Sequence, residues 1–182
     1  MEQVKKGIVV YGASSSGIEV KYKTLARELG RMLGENGFYL INGGGRGGLM
    51  QESIEGIVEA GGEAVGVLPE FMMHKEWNHP DLTETIVTDG MHPRKAKMAE
   101  MSSGAIALPG GIGTLDELCE IMTWHQLGLY RHKVIILNYE GFYDPLIEMF
   151  EKMHDLHFMR DNRKLCHIVA TAAEAVELLL AD

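Results

Sequence analysis

The sequence predicts an α/β fold of the doubly wound kind, a parallel sheet with helices on both faces, in a single domain spanning residues 1–182. Runs such as Ile8-Val9-Val10-Tyr11, Ala105-Ile106-Ala107-Leu108 and Val134-Ile135-Ile136-Leu137 are continuously apolar, which marks strands covered on both faces. Between them lie apolar residues at helical spacing, so strand and helix alternate along the chain. Length agrees: 182 residues can bury a core without staples, and no repeat, low-complexity segment or linker divides them.

Taken in order, Ile8–Tyr11 is the first buried strand and runs into the small polar loop Gly12-Ala13-Ser14-Ser15-Ser16-Gly17, either a plain turn or a ligand contact. Tyr22, Leu25, Ala26, Leu29, Met32 and Leu33 then form a helix that ends between Gly34 and Gly37. Phe38–Ile41 is a second strand, followed by Gly43-Gly44-Gly45-Arg46-Gly47-Gly48 and a helix starting near Leu49. Gly43, Gly45 and Gly48 satisfy GxGxxG, with Glu70 after the next strand, Ala64–Leu68, where a dinucleotide site would place its acid. The loop follows the second strand and no substrate domain follows it. We therefore read it as a second backbone wall of one mononucleotide site, with a structural tight turn as the plain alternative.

Residues 70–83 are the least regular stretch and read as a rim over the site; His74 and His79 lack the convergent third ligand that a metal needs. After the strand Thr85–Thr88 comes Gly90-Met91-His92-Pro93-Arg94-Lys95-Ala96-Lys97, the strongest basic cluster in the chain. Cations at a helix start oppose its dipole, so a compensating anion is expected there. The tail offers a capping box at Thr171 and Glu174 and nothing that points to chemistry.

The central stretch is Pro109-Gly110-Gly111-Ile112-Gly113-Thr114-Leu115-Asp116-Glu117, set between the strand Ala105–Leu108 and a helix carrying Leu118, Ile121, Met122, Trp124 and His125. A glycine turn feeding a helix lets the backbone approach an anion, which the free N–H groups and the helix dipole attract. Thr114 and Glu117 also fit a capping box, and for those two side chains spacing alone favours the cap. The third glycine is more than a cap needs.

Composition narrows the partners. The chain has 46% hydrophobic and 24% charged residues with a net charge of −9, and its pI near 5.4 argues against nucleic-acid polymers and anionic membranes. Cys119 and Cys166 show neither zinc nor disulfide spacing, and Cys119 falls where a small core residue would sit. The start of the chain has no long apolar segment, so a reducing cytoplasm is expected, with no cofactor and no metal.

Three motifs together resemble the LOG (lonely guy) phosphoribohydrolases: Gly43-Gly44-Gly45 with Gly47-Gly48-Leu49-Met50, then Met91-His92-Pro93-Arg94-Lys95, then Pro109–Thr114 with Glu117. The likeness runs from about Ile8 to Phe158. Ser14 stands in a Gly-Ala-Ser-Ser-Ser loop where the family usually has Cys-Gly-Ser-Ser. The resemblance implies a Rossmann-like fold, a homodimer or higher oligomer, and hydrolysis of a nucleoside 5′-monophosphate to free base and ribose 5-phosphate. The substrate class it implies is cytokinin riboside monophosphate, AMP or both. By motif match it implies Arg94 and Glu117 as the catalytic pair. Lys95 and the loop Gly110, Gly111, Ile112, Gly113, Thr114 and Asp116 would hold the nucleotide, with Ser14, Gly44, Gly45, Glu76 and Met91 contributing.

The family is also labelled lysine decarboxylase, but the glycine loops suit phosphate better than an amine, and no lysine is placed for a Schiff base. A carboxylate beside the ribose would stabilise the positive charge that builds as the glycosidic bond breaks, which fits Glu117, while Arg94 is restricted to electrostatics and positioning. The competing expectations are a nucleotide carrier or sensor without chemistry, and a nicotinamide-dependent enzyme using Gly43–Gly48.

Overall fold

The computed structural model describes residues 5–159 and 165–181. Its strands are β1 (Gly7–Tyr11), β2 (Tyr39–Asn42), β3 (Ala64–Pro69), β4 (Glu84–Thr88), β5 (Ser102–Ala107), β6 (Val134–Leu137) and β7 (His167–Val169). The helices are α1 (Val20–Glu35), α2 (Gly48–Glu59), α3 (Glu70–Met73), α4 (Met91–Met101), α5 (Ile112–Gln126), α6 (Asp144–Asp155) and α7 (Ala172–Leu180). All seven strands lie in one sheet in the order β4-β3-β2-β1-β5-β6-β7, and every pairing is parallel.

The continuous apolar runs explain the layering. Side chains alternate across a strand, so a strand apolar at every position must be covered twice. Ile8 and Val10 face one way, into a core with Leu25, Leu29 and Leu33 of α1, Ile54 and Ile57 of α2, and Val176 and Leu179 of α7. Val9 and Tyr11 face the other way, onto Met98 of α4 and Leu118, Ile121 and Met122 of α5. The sheet is thus doubly wound as the sequence indicates. α7 starts with the expected capping box, in which Thr171 and Glu174 satisfy each other's N–H groups.

Three differences matter for the site. α5 begins two residues before Thr114: extended Gly111 precedes it and no side chain caps it, so the expected Thr114–Glu117 box does not form. Thr114 is instead buried, its side chain pressed against Gly110, and Glu117 turns to a guanidinium. Cys119, expected in the core, is exposed because it falls on the outer face of α5. Part of the irregular stretch is ordered, with Glu70–Met73 forming one helical turn.

Connections run outward from β1 in both directions. β1 leads to β2, β3 and β4 on one side, while β5 starts afresh on the other side of β1. The loops leaving β1 and β5 therefore part at the carboxyl edge of the sheet, which is where ligands enter folds of this topology.

Candidate active site

Arg94 is a buried and doubly bonded cation. α4 holds it 6% exposed, and its Nε donates to the Val67 carbonyl at 2.9 Å while Nη1 donates to Glu117 Oε1 at 3.0 Å. Its third nitrogen, Nη2, lies 2.1 Å from where a Cβ on Gly43 would stand. Only glycine leaves room at position 43. β3 and α5 thus each bond one nitrogen of one planar group while the turn after β2 packs against the third, an arrangement that the fork geometry of arginine permits and lysine does not.

Glu117 is largely enclosed, with 14% of its side chain exposed, and this burial raises its pKa above the ordinary carboxylate value although Arg94 pulls the other way. A carboxylate so placed ionises reluctantly but has a fixed cation to face. The neighbouring residues form a second cluster: Lys95 Nζ meets Asp116 Oδ2 at 3.0 Å and Glu120 Oε2 at 3.1 Å. Burial works to lower the Lys95 pKa, and the two carboxylates outweigh it, so the ammonium is held above its ordinary value. The anion expected opposite the basic cluster is thus supplied within the protein.

The start of α5 is different. Gly111, Ile112 and Gly113 are exposed, with Ile112 82% accessible, and a methyl group added at Gly111 or Gly113 would meet nothing within 4 Å. Among the described residues, the N–H groups of Ile112 and Gly113 meet no acceptor. Two open amides at a helix start, beside a buried carboxylate and an anchored guanidinium, can receive an anionic group and hold what it carries against Glu117.

The other glycine turn is closed. Gly44 N–H donates to Asn42 Oδ1 at 2.8 Å, Arg46 N–H to the Trp77 carbonyl at 3.2 Å, and Leu49 N–H to the Ala13 carbonyl at 2.7 Å. The Leu49 and Met50 amides, in the first turn of α2 that a dinucleotide fingerprint would aim at pyrophosphate, are taken by the Ala13 carbonyl of the loop after β1. Glu70 sits exposed at the head of α3 and faces His74. Neither feature suits the nicotinamide reading, and the turn acts chiefly as the floor against which Arg94 lies.

Other expected residues are placed more loosely. Gly45 pairs with Asn78 of the rim, and Gly44 accepts the His79 N–H at 2.7 Å, so residues 74–79 are strapped across this turn. His79 is buried, with Nε2 3.6 Å from Glu55. Glu76 is exposed at a positive φ of 54°, and no hydrogen bond or ion pair among the described residues ties it to Arg94 or Glu117. Met91 opens α4 and is 40% exposed, and Ser14 is exposed in the loop after β1, its carbonyl packed against Gly47.

Sequence reasoning passed over Gly43 as a contact, Glu120, Tyr11 and Tyr143. Glu120 had a signal, standing one helical turn after Asp116. Tyr11 ends β1 beneath the pair; burial first, and then Glu117, push its hydroxyl well above the ordinary tyrosine pKa. A concavity of about 810 Å³ beside β7 and α7 is lined by neither the Arg94 nor the Lys95 cluster.

Residues 50–179 match the family model described as "Possible lysine decarboxylase". The cytokinin riboside 5′-monophosphate phosphoribohydrolase LOG of Oryza sativa is 39% identical over 173 residues, 95% of this chain and 71% of its own length. This chain belongs to the LOG family. A second LOG relative, LOG1 of Arabidopsis thaliana, is 38% identical over 98% of this chain and 83% of its own. Among solved structures, the molybdenum cofactor carrier protein of Chlamydomonas reinhardtii superposes with a TM-score of 0.75 and 28% identity, covering 98% of this chain and 99% of that one. The molybdenum cofactor binding protein of Rippkaea orientalis, 22% identical, gives 0.77 over 99% and 98% and shares the Rossmann-like fold.

Proposed function

We propose that this LOG-family protein hydrolyses the N-glycosidic bond of nucleoside 5′-monophosphates, cytokinin riboside monophosphate or AMP, to free base and ribose 5-phosphate. The observation that carries this reading is the Arg94–Glu117 pair, 3.0 Å apart and buried beside the open head of α5. The 5′-phosphate is received by the Ile112 and Gly113 amides, which need no lysine or metal to attract it. That places the ribose along the first turns of α5, toward Glu117. As the base departs, positive charge develops on the ribose ring, and the Glu117 carboxylate stabilises it and orients the attacking water.

Arg94 scarcely deprotonates, so it transfers no proton and instead keeps Glu117 oriented and ionised. Lys95, already neutralised by Asp116 and Glu120, locks α4 to α5 instead of gripping the nucleotide. Ser14, Gly44, Gly45, Glu76 and Met91 border the site and make their contribution at its rim.

The carrier reading has one observation in its favour, the likeness to a molybdenum cofactor carrier protein. Incubating the pure protein with AMP and with its N6-isopentenyl analogue, and following free base by chromatography, separates the two. Base release is expected; AMP binding without adenine release would establish the carrier instead.

We also infer a homodimer or higher oligomer, with residues 1–182 serving as one domain. Ile112, Leu115, Cys119 and Trp124, interleaved with Asp116, Glu120 and Thr123, line one shallow concavity on α5, and Leu127 and Leu129 beyond it are 58% and 72% exposed. Exposed apolar side chains rimmed by polar ones suit a partner surface, and sedimentation of the pure protein reports whether it has one. No helix among the described residues is long and apolar enough to cross a membrane. Cys119 and Cys166 are free thiols, which suits the cytoplasm we infer and which subcellular fractionation would check.

A further inference from the structure

The turn that opens α5 rests on a residue far from it in sequence. Tyr143, immediately before α6, is 2% exposed. Its backbone N–H donates to Asn138 Oδ1 at 2.7 Å, and Asn138 Nδ2 donates to Asp144 Oδ1 at 2.7 Å, so the segment between β6 and α6 is self-braced. The Tyr143 ring stands edge-on to Phe142, with centroids 4.9 Å apart. From this fixed base its hydroxyl reaches the end of β5, donating to the Leu108 carbonyl at 2.7 Å, with the Gly110 backbone near enough to pull its pKa down. Burial raises the hydroxyl's pKa above the ordinary tyrosine value, which keeps it a donor.

Those two backbone groups flank Pro109, which has no N–H of its own. The Pro109 carbonyl accepts the Ala13 N–H at 3.3 Å from the opposite side. The turn is therefore clamped from the β6 side by one hydroxyl and from the β1 side by one amide. Beyond it run Gly111, Ile112 and Gly113, which have little stiffness of their own.

We propose that Tyr143 is a positioning residue for the phosphate cradle: its hydroxyl fixes the Leu108–Gly110 turn and thereby aims the open amides at the head of α5. This rests on the phosphate reading of that turn. Without the hydroxyl, the Leu108 carbonyl loses its side-chain partner, and the turn that carries the two amides is held from the β1 side alone. A misplacement on the order of 1 Å at such a site costs up to about a hundredfold.

Calorimetric titration of ribose 5-phosphate into wild type, Tyr143→Phe and Tyr130→Phe tests this. Tyr130 is the control, because its buried hydroxyl pairs with Ser102 Oγ at 2.9 Å, away from the turn. Tyr143→Phe should weaken binding roughly tenfold or more and raise KM for AMP by the same factor with a smaller change in kcat. Tyr130→Phe should lower Tm while leaving the dissociation constant unchanged. Equal binding by Tyr143→Phe and wild type would overturn the positioning role alone. No binding by wild type would overturn the phosphate reading and this inference with it. Hydrogen exchange at the Gly110 amide of the wild-type protein gives a reading that needs no variant: protection is expected, and free exchange would sink the proposal.

Discussion

Two glycine turns stand on either side of β1, one after β2 and one after β5, and they use glycine for opposite purposes. At Gly43–Gly48 the missing side chains let the protein approach itself. Arg94 fills the space beside Gly43, and a methyl group at Gly48 would meet the Ala13 carbonyl at 2.4 Å. At Gly111 and Gly113 the space stays open, and among the described residues the Ile112 and Gly113 amides meet no acceptor. The richer glycine sequence thus makes the closed turn, and the sparer one makes the open site. Glycine density alone does not locate a phosphate cradle; what decides is whether a neighbouring segment has already claimed the N–H groups.

If the open turn carries the chemistry, Glu117→Gln should have the largest effect. Glutamine keeps the size and an acceptor for Arg94 but removes the charge, so base release should fall by roughly 10²–10⁴-fold with the fold intact. Thermal unfolding beside the assay separates the two outcomes. Burial raises the Glu117 pKa, so the folded protein holds this proton more tightly than the unfolded chain does. Stability from this group is present below the unfolded carboxylate pKa and is lost as pH rises through the folded value. Activity has the opposite sign and should rise with pH through an apparent pKa above that of an ordinary glutamate. A pH–rate profile with its acid limb at the ordinary value would contradict this.

Gly43→Ala should come next, because it pushes against the guanidinium from the closed turn. Activity should drop by about one to two orders of magnitude with an accompanying loss of about 1–3 kcal/mol in urea unfolding. Gly48→Ala sharpens the comparison from the structural side. With φ at +57° and a backbone oxygen in the way, it should cost about 1–3 kcal/mol while the surviving folded protein keeps its KM. Gly113→Ala should be the mildest for the fold, neutral or stabilising by up to about 1 kcal/mol, since nothing lies within 4 Å of the new methyl. Its signature is weaker nucleotide binding alone, measured by calorimetry. Equal stability losses at Gly48 and Gly113 would erase the distinction between the turns.

The sheet was legible because buried parallel strands leave an unmixed record. Ile8–Tyr11 and Val134–Leu137 have no polar interruption, and their parallel direction follows once a helix must return between strands, whereas the strand order does not. Arg94 and Glu117 were legible as a resemblance in motif, and the structure brings the two together. Their surroundings were less so. Thr114 and Glu117 had capping spacing, yet the helix begins earlier and a buried guanidinium outcompetes a cap as the partner of Glu117. Tyr143 carries no local pattern, because the hydrogen bonds that give it meaning lie 35 residues away at Leu108. His79 looked like a loop residue, and only the fold sets it against Glu55.

The guanidinium that occupies the place of a side chain at Gly43 also makes two distant positions energetically one. While Arg94 is present, Gly43→Ala forces a collision with the guanidinium; once Arg94 is shortened to alanine, only the flexible Met50 side chain, its Sδ 2.9 Å from the new methyl, has to give way. The double variant should then be less impaired than the sum of the singles, a positive coupling of the kind seen between groups in direct contact. Selection acting on either position is therefore conditional on the other.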